Sequence, residues 1–219
     1  MTAPDLTQRR AGRWRLVLPI KGAPDAKSRL TLPPEIDRTG LARAMALDTL
    51  QAALDSPEVG AVLVVSADPS VVTAATAAGA VVAPDPGRGL NDAVRHGVAV
   101  FASEGAGPVA ILLGDLPALR ATDLTAALSA CAALPAAYVP DAEGTGTVLL
   151  AAETPQGLHP EFGDGSAARH DRSAARLELD LPRLRRDVDV EESLRAALAL
   201  GVGPRTVAAL ASAGPRWLA

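Results

Sequence analysis

The chain has 219 residues, 48% of them hydrophobic, and a formal net charge of −4. That size carries one α/β domain with a full core, and mild acidity argues against nucleic acid or an anionic membrane as the main partner. Aromatics are only 2%, so the core must be built from Ala, Val and Leu. No apolar run approaches the ~18 residues of a membrane span, and no apolar stretch resembling a signal peptide precedes Trp14. Cys131 is the only cysteine. It sits in an Ala/Leu-rich helical pattern and reads as a small buried hydrophobe, and a reducing cytoplasm is the expected location.

Residues 1–12 read as a flexible tail and 13–213 as one domain. The first strand is expected at Arg15–Ile20, followed by a polar loop from Lys21 to Pro34. Helical spacing of apolar residues marks Leu41–Leu54, then Gly60–Ser66 is strand two, Pro69–Ala78 a short helix and Ala80–Ala83 strand three. A glycine-rich loop, Gly87–Asn91, leads to a helix from Asp92 to about Ser103, with Asn91 or Asp92 as its cap. Strand four is Val109–Leu113, and Thr122 or Asp123 caps the helix that follows. Strands five and six are Ala137–Pro140 and Val148–Ala152, the latter entered from Gly144–Thr147, read either as an oxyanion-binding turn or as a plain hairpin. After a polar stretch with a short helix near Ala167–Arg176, a terminal strand is expected within Leu184–Val190. Helices at Glu191–Leu200 and Thr206–Ala213 close the chain. Alternation of strand and helix through residue 134 predicts a single-domain α/β fold, a mostly parallel twisted sheet with helices on both faces.

The most informative segment is Gly114-Asp115-Leu116-Pro117, directly after the apolar strand-four run. An aspartate there lies at the carboxyl end of a strand, where open α/β sheets bind ligands, and a carboxylate suits Mg²⁺ with its preference for oxygen donors. The loop after strand one reaches the same sheet edge and places Lys21, Lys27 and Arg29, three cations within nine residues, where they suit a triphosphate. The alternative is a solvated basic loop; no Walker A pattern is present. Gly89 and Asn91 allow close approach to a planar ligand, and Asn91 can pair with a base edge. In Phe162–His170, the residues Gly163, Ser166, Arg169 and His170 could hold a small phosphorylated, carboxylated molecule, with His170 either an acid–base group or a surface histidine. His96 and His159 have no supporting neighbours. Asp187 and Asp189, if in a strand, face the same side and need a cation between them.

The order of these pieces resembles the phosphoenolpyruvate / 2-phospho-L-lactate guanylyltransferase family, which makes the activated phospho-ester used to build coenzyme F-420. The matching stretches are Lys27–Leu30, Leu90–Ala93, Gly114–Leu119, Gly144–Thr147, Phe162–His170 and Asp187–Asp189, within roughly residues 14–210. The resemblance implies a fold of the nucleotide-diphospho-sugar transferase, Rossmann-like type, shared with molybdopterin-cofactor guanylyltransferases. It implies attack of the acid's phosphate on the α-phosphate of GTP, with loss of pyrophosphate. Asp115 with Asp187 or Asp189 would hold Mg²⁺. Lys27 and Arg29 would serve catalysis and, with Lys21, the triphosphate, while Gly89 and Asn91 would contact guanine or ribose. Thr147, Gly163 and Ser166 would bind phosphoenolpyruvate, and Arg169 would pair with its carboxylate or phosphate. The implied partners are GTP and a small phosphorylated three-carbon acid, with no nucleic acid and no membrane; a homodimer and a transient handover to the next enzyme remain open. The chain departs from related enzymes in its first loop, where Gly22 is the only glycine. Two alternatives stay open: another nucleotidyltransferase of the same fold, acting on molybdopterin or a sugar phosphate, or a GTP-binding regulatory protein without turnover.

Overall fold

The structure is a computed structural model and describes residues 13–21 and 30–211. Seven strands form one sheet: β1 (Trp14–Pro19), β2 (Val59–Val65), β3 (Val81–Ala83), β4 (Val109–Leu112), β5 (Ala136–Pro140), β6 (Thr147–Ala152) and β7 (Ala175–Arg176). Their order is β3-β2-β1-β4-β6-β5-β7. The first four are mutually parallel, β6 runs antiparallel to both of its neighbours, and β7 is parallel to β5. The sheet is thus mixed but mostly parallel, as the alternation predicts.

Helices α1 (Arg38–Asp55), α2 (Pro69–Ala77), α3 (Leu90–Ser103) and α4 (Ala121–Cys131) fill the connections between strands. Strand periodicity sorts the core into two layers. Leu16 and Leu18 of β1 pack in one cluster with Leu50 of α1, Val71 of α2 and Leu124 of α4. Val17, between them, faces the opposite cluster with Val94 and Phe101 of α3. Helices therefore cover both faces, and the near-continuous apolar strands follow from burial on both sides. A third cluster joins Leu41 and Met45 of α1 to Leu194 and Ala197 of α7 (Glu191–Leu200) and Leu210 of α8 (Pro204–Ala211). Two short helices, α5 (Ser166–His170) and α6 (Pro182–Arg185), add Ala167 to the second cluster and Leu184 to the first.

Most predicted elements hold to within a few residues, and the exceptions have local causes. The expected strand within Leu184–Val190 is absent: α6 takes up 182–185, started by Pro182 at its first turn, and 186–190 is irregular. Helix α3 begins at Leu90 with Gly89 as its N-cap, so neither Asn91 nor Asp92 caps it. Helix α4 is capped at Arg120, not Thr122 or Asp123; the Asp123 carboxylate instead reaches back to accept the Arg120 N–H at 3.1 Å. The expected 1–12 tail lies outside the described residues.

Candidate active site

The strand order leaves β1 toward β2 on one side and β4 on the other, so the carboxyl ends of β1 and β4 form the switch point at which open α/β sheets bind ligands. A cavity of about 830 Å³ opens there. Ile20 and Lys21 border it from β1, and Gly114 and Asp115 from β4. The antiparallel pairing of β6 adds a third contributor: because Leu112 pairs with Leu149, the start of β6 falls beside the end of β4. Thr147 and the turn before it therefore arrive at the same edge.

The Gly114–Pro117 turn is held from three directions. The Thr49 hydroxyl of α1 accepts the Leu116 N–H at 3.2 Å and lies 3.3 Å from the Gly114 carbonyl. The Asp115 carbonyl accepts the Val188 N–H, and the Pro117 carbonyl accepts the Gly203 N–H. The bond from Val188 stitches the irregular 187–189 segment to the strand-four turn. Asp187 and Asp189 thus reach the cavity without a strand to carry them.

Seven side chains lining the cavity are carboxylates, Asp115, Asp187 and Asp189 among them, against one cation, Lys21, among the described residues. Lys27 and Arg29 lie outside the described residues. Asp141, which the sequence reading missed, is prominent here. It is the first residue after β5, as Asp115 follows the end of β4, and its carboxylate accepts the N–H groups of Thr145 at 2.9 Å and Gly146 at 2.7 Å. A Cβ at Gly146 would collide with the Asp141 carboxylate, so a larger residue there requires that side chain to shift. The signal in the sequence was an apolar run closed by Pro140-Asp141, the same grammar that singled out Asp115.

Oxygens of Asp141, Glu143 and Asp187 lie within 4.8 Å of one another, the one such carboxylate group among the described residues. This differs from the expected trio of Asp115, Asp187 and Asp189. Asp115 and Asp189 border the cavity outside that group, and Asp189 is exposed. The cause is the missing strand, since the 186–190 segment does not impose a common face. Arg186 pairs with Glu143 at 2.5 Å, and Arg185 donates to the Asp141 carbonyl at 2.9 Å, so two cations from the end of α6 offset part of this charge. The donor set is all oxygen, without His or Cys, which fits a hard divalent ion such as Mg²⁺.

Gly163 and Ser166 also line the cavity, from the opposite wall. Gly163 has φ 118°, a conformation open to glycine and strained for other residues. Two other candidates act on this wall from behind. The Asn91 amide donates to the Phe162 carbonyl at 3.0 Å and accepts its N–H at 2.8 Å, clasping the loop to α3. Arg169 donates to the carbonyls of Glu161 and Asp164, at 2.9 and 2.8 Å. The Asn91 amide and the Arg169 Nε and Nη1 groups are thus engaged with the backbone around Gly163, and neither residue lines the cavity. Gly89 is exposed at the start of α3 and does not line the cavity, whereas the adjacent Leu90 does. Thr147 is buried and lines the cavity, with its hydroxyl 2.8 Å from His170 Nδ1. His170 is fully buried, not a surface histidine.

A family profile described as "Guanylyl transferase CofC like" matches residues 14–195. The chain belongs to the CofC-like guanylyl transferase family. Among relatives, the phosphoenolpyruvate guanylyltransferase of Streptomyces scabiei is 50% identical over 209 residues, 91% of this chain and 96% of that protein. That of Salinispora arenicola is 50% identical over 207 residues, 92% and 95%. Solved structures share the fold at low identity. A crystal structure from Desulfovibrio desulfuricans G20, assigned as a nucleotide-diphospho-sugar transferase, has a TM-score of 0.64 at 17% identity, covering 91% of this chain and 94% of that one. A 4-diphosphocytidyl-2C-methyl-D-erythritol synthase from Anaerococcus prevotii has 0.58 at 10% identity, covering 86% and 95%. This CofC-like chain is a nucleotidyltransferase enzyme.

Proposed function

We propose that the protein couples phosphoenolpyruvate to GTP, forming enolpyruvoyl-2-diphospho-5'-guanosine and pyrophosphate, in coenzyme F-420 biosynthesis in the cytoplasm. The half-identical relatives named for this acid support the choice of substrate. The observation that carries the reading is the juxtaposition of the carboxylate-rich β1/β4 switch point with the Thr147 and Gly163–Ser166 wall in one cavity.

The attacking phosphate oxygen is already an anion, so the reaction needs positioning and charge neutralisation more than a general base. Thr147, Gly163 and Ser166 border the space for the acid; Lys21, with Lys27 and Arg29, is assigned to the triphosphate. An acidic cavity repels two phosphorylated substrates unless cations intervene. Asp115, with Asp187 or Asp189, is assigned to hold Mg²⁺, with Asp141 close to Asp187, and the bound ion would neutralise phosphate charge and polarise the α-phosphorus. Asn91 and Arg169 are assigned to shaping the acid-binding wall through the 161–164 backbone.

The test is pyrophosphate release from GTP, with products identified by mass spectrometry. Release is expected when Mg²⁺ and phosphoenolpyruvate are both present, and negligible without either. Preference for 2-phospho-L-lactate or 3-phosphoglycerate would overturn the substrate choice, and inactivity with all three acids would overturn the reaction.

A further inference from the structure

Behind the Thr147 wall lies His170, which the reaction outlined above does not use. The ring is fully buried. Phe162 meets it edge-on at 5.1 Å between centroids, and Tyr138 lies at 5.8 Å. Both nitrogens are engaged: Nε2 is 3.0 Å from the Glu161 backbone nitrogen, and Nδ1 is 2.8 Å from Thr147 Oγ1. These contacts fix the tautomer. A backbone N–H can only donate, so Nε2 must accept. The neutral ring then carries its proton on Nδ1, which donates to the threonine oxygen.

That assignment constrains Thr147. Its hydroxyl has a single proton, and its oxygen already accepts from His170 on the inner side. Among the described residues no second partner is recorded for this hydroxyl, and Thr147 lines the cavity. The O–H is therefore available to an acceptor in the cavity that Thr147 lines.

We propose that His170 is a positioning residue that, as its Nδ1–H tautomer, makes the Thr147 hydroxyl a dedicated hydrogen-bond donor to the phosphate or carboxylate of the acid substrate. The inference rests on the reading that Thr147 borders the acid site. The same ring anchors Glu161, so one side chain sets both Thr147 and the loop leading to Gly163. The wall so built favours a substrate oxygen that accepts and disfavours a group that can only donate. The groups around the ring keep it neutral near pH 7. Burial lowers its pKa to about 4, and Arg169 adds to this against the opposing pull of Glu161 and Asp171. Protonation would also set an Nε2–H against the Glu161 N–H.

Two substitutions separate the ring's two contacts. His170→Asn places an amide N–H near the Nδ1 position, keeping a donor for Thr147 and losing the acceptor for Glu161. His170→Gln reaches toward the Nε2 position, keeping that acceptor and losing the donor. The expected orders are opposite. The Gln variant raises KM for phosphoenolpyruvate about tenfold with KM for GTP little changed, while the Asn variant stays within about threefold of wild type yet loses more Tm, because it strands a buried N–H. In a Thr147→Val background the difference in KM disappears. Losses of substrate affinity that simply follow Tm, or a difference that persists without the Thr147 hydroxyl, would overturn the proposal. A second measurement needs no turnover: ¹⁵N NMR of the imidazole in the full chain should show the Nδ1–H tautomer, unchanged between about pH 8 and 5. An Nε2–H signature, or titration near 6.5, would refute it. If the wild-type protein ignores phosphoenolpyruvate, the proposed reaction fails, and the NMR signature still decides the state of His170.

Discussion

Asp115 and His170 show how single side chains here take their meaning from the backbone around them. Asp115 is held at a strand end by the bond from Val188 to its own carbonyl and by the Thr49 hydroxyl on its neighbours Gly114 and Leu116. Replacing it with Asn keeps the shape and removes the charge. Asp115→Asn is expected to lower kcat about 100-fold or more, with Tm within a few degrees of wild type, because the lost interaction is electrostatic. Turnover near wild type would remove Asp115 from the reaction. His170 predicts a pH effect whose sign follows from its depressed pKa. The unfolded imidazole titrates near 6.5 and the buried one near 4. Between these values the unfolded chain binds more protons, so acid destabilises the fold across that window and the contribution is level above it. Tm measured from pH 7.5 to 4.5 should therefore fall less steeply in His170→Asn than in wild type.

At the scale of elements, the Asp48 carboxylate of α1 is the clearest structural device. It is buried and accepts the backbone N–H groups of Arg205 at 3.2 Å and Thr206 at 2.8 Å, and the Thr206 hydroxyl at 2.7 Å. One side chain in the first helix thus satisfies the open donors at the start of α8, 157 and 158 residues later. Nothing around Asp48 in the sequence announces this, since its neighbours fit an ordinary helix. Asp48→Ala should destabilise the protein by about 2–3 kcal/mol by stranding those donors, read as a lower urea midpoint. Its rate should change less than that of Asp115→Asn, because Asp48 supports α8 and not the cavity. The β5–β6 turn is the second device. Gly146→Ala would push a methyl group into Asp141, and a raised requirement for Mg²⁺ with modest loss of Tm is the expected outcome.

For the whole molecule, a cavity lined by seven carboxylates and one described cation cannot bind a triphosphate by itself without large repulsion. GTP and Mg²⁺ together should therefore raise Tm, and GTP with a chelator should raise it much less; at a ligand concentration ~100 times Kd the gain is about 2.7 kcal/mol. Equal shifts with and without the metal would argue that the basic side chains alone suffice.

The sequence by itself determined the α/β class, the strand runs, the Asp115 position and the family, because short apolar runs, their turns and the order of motifs are local patterns. It did not determine which carboxylates meet. The strand expected near Asp187 and Asp189 does not form, and Asp141 and Glu143 come within 4.8 Å of Asp187 because β5 returns parallel to β4 through the antiparallel β6. Nor did it reveal that Asn91 clasps Phe162, that Arg169 braces the same loop, or that His170 is enclosed against Thr147. These pairings join residues up to 71 positions apart, and a side chain's hydrogen-bond partner across such a distance is fixed by how strands and loops stack, not by the residues beside it.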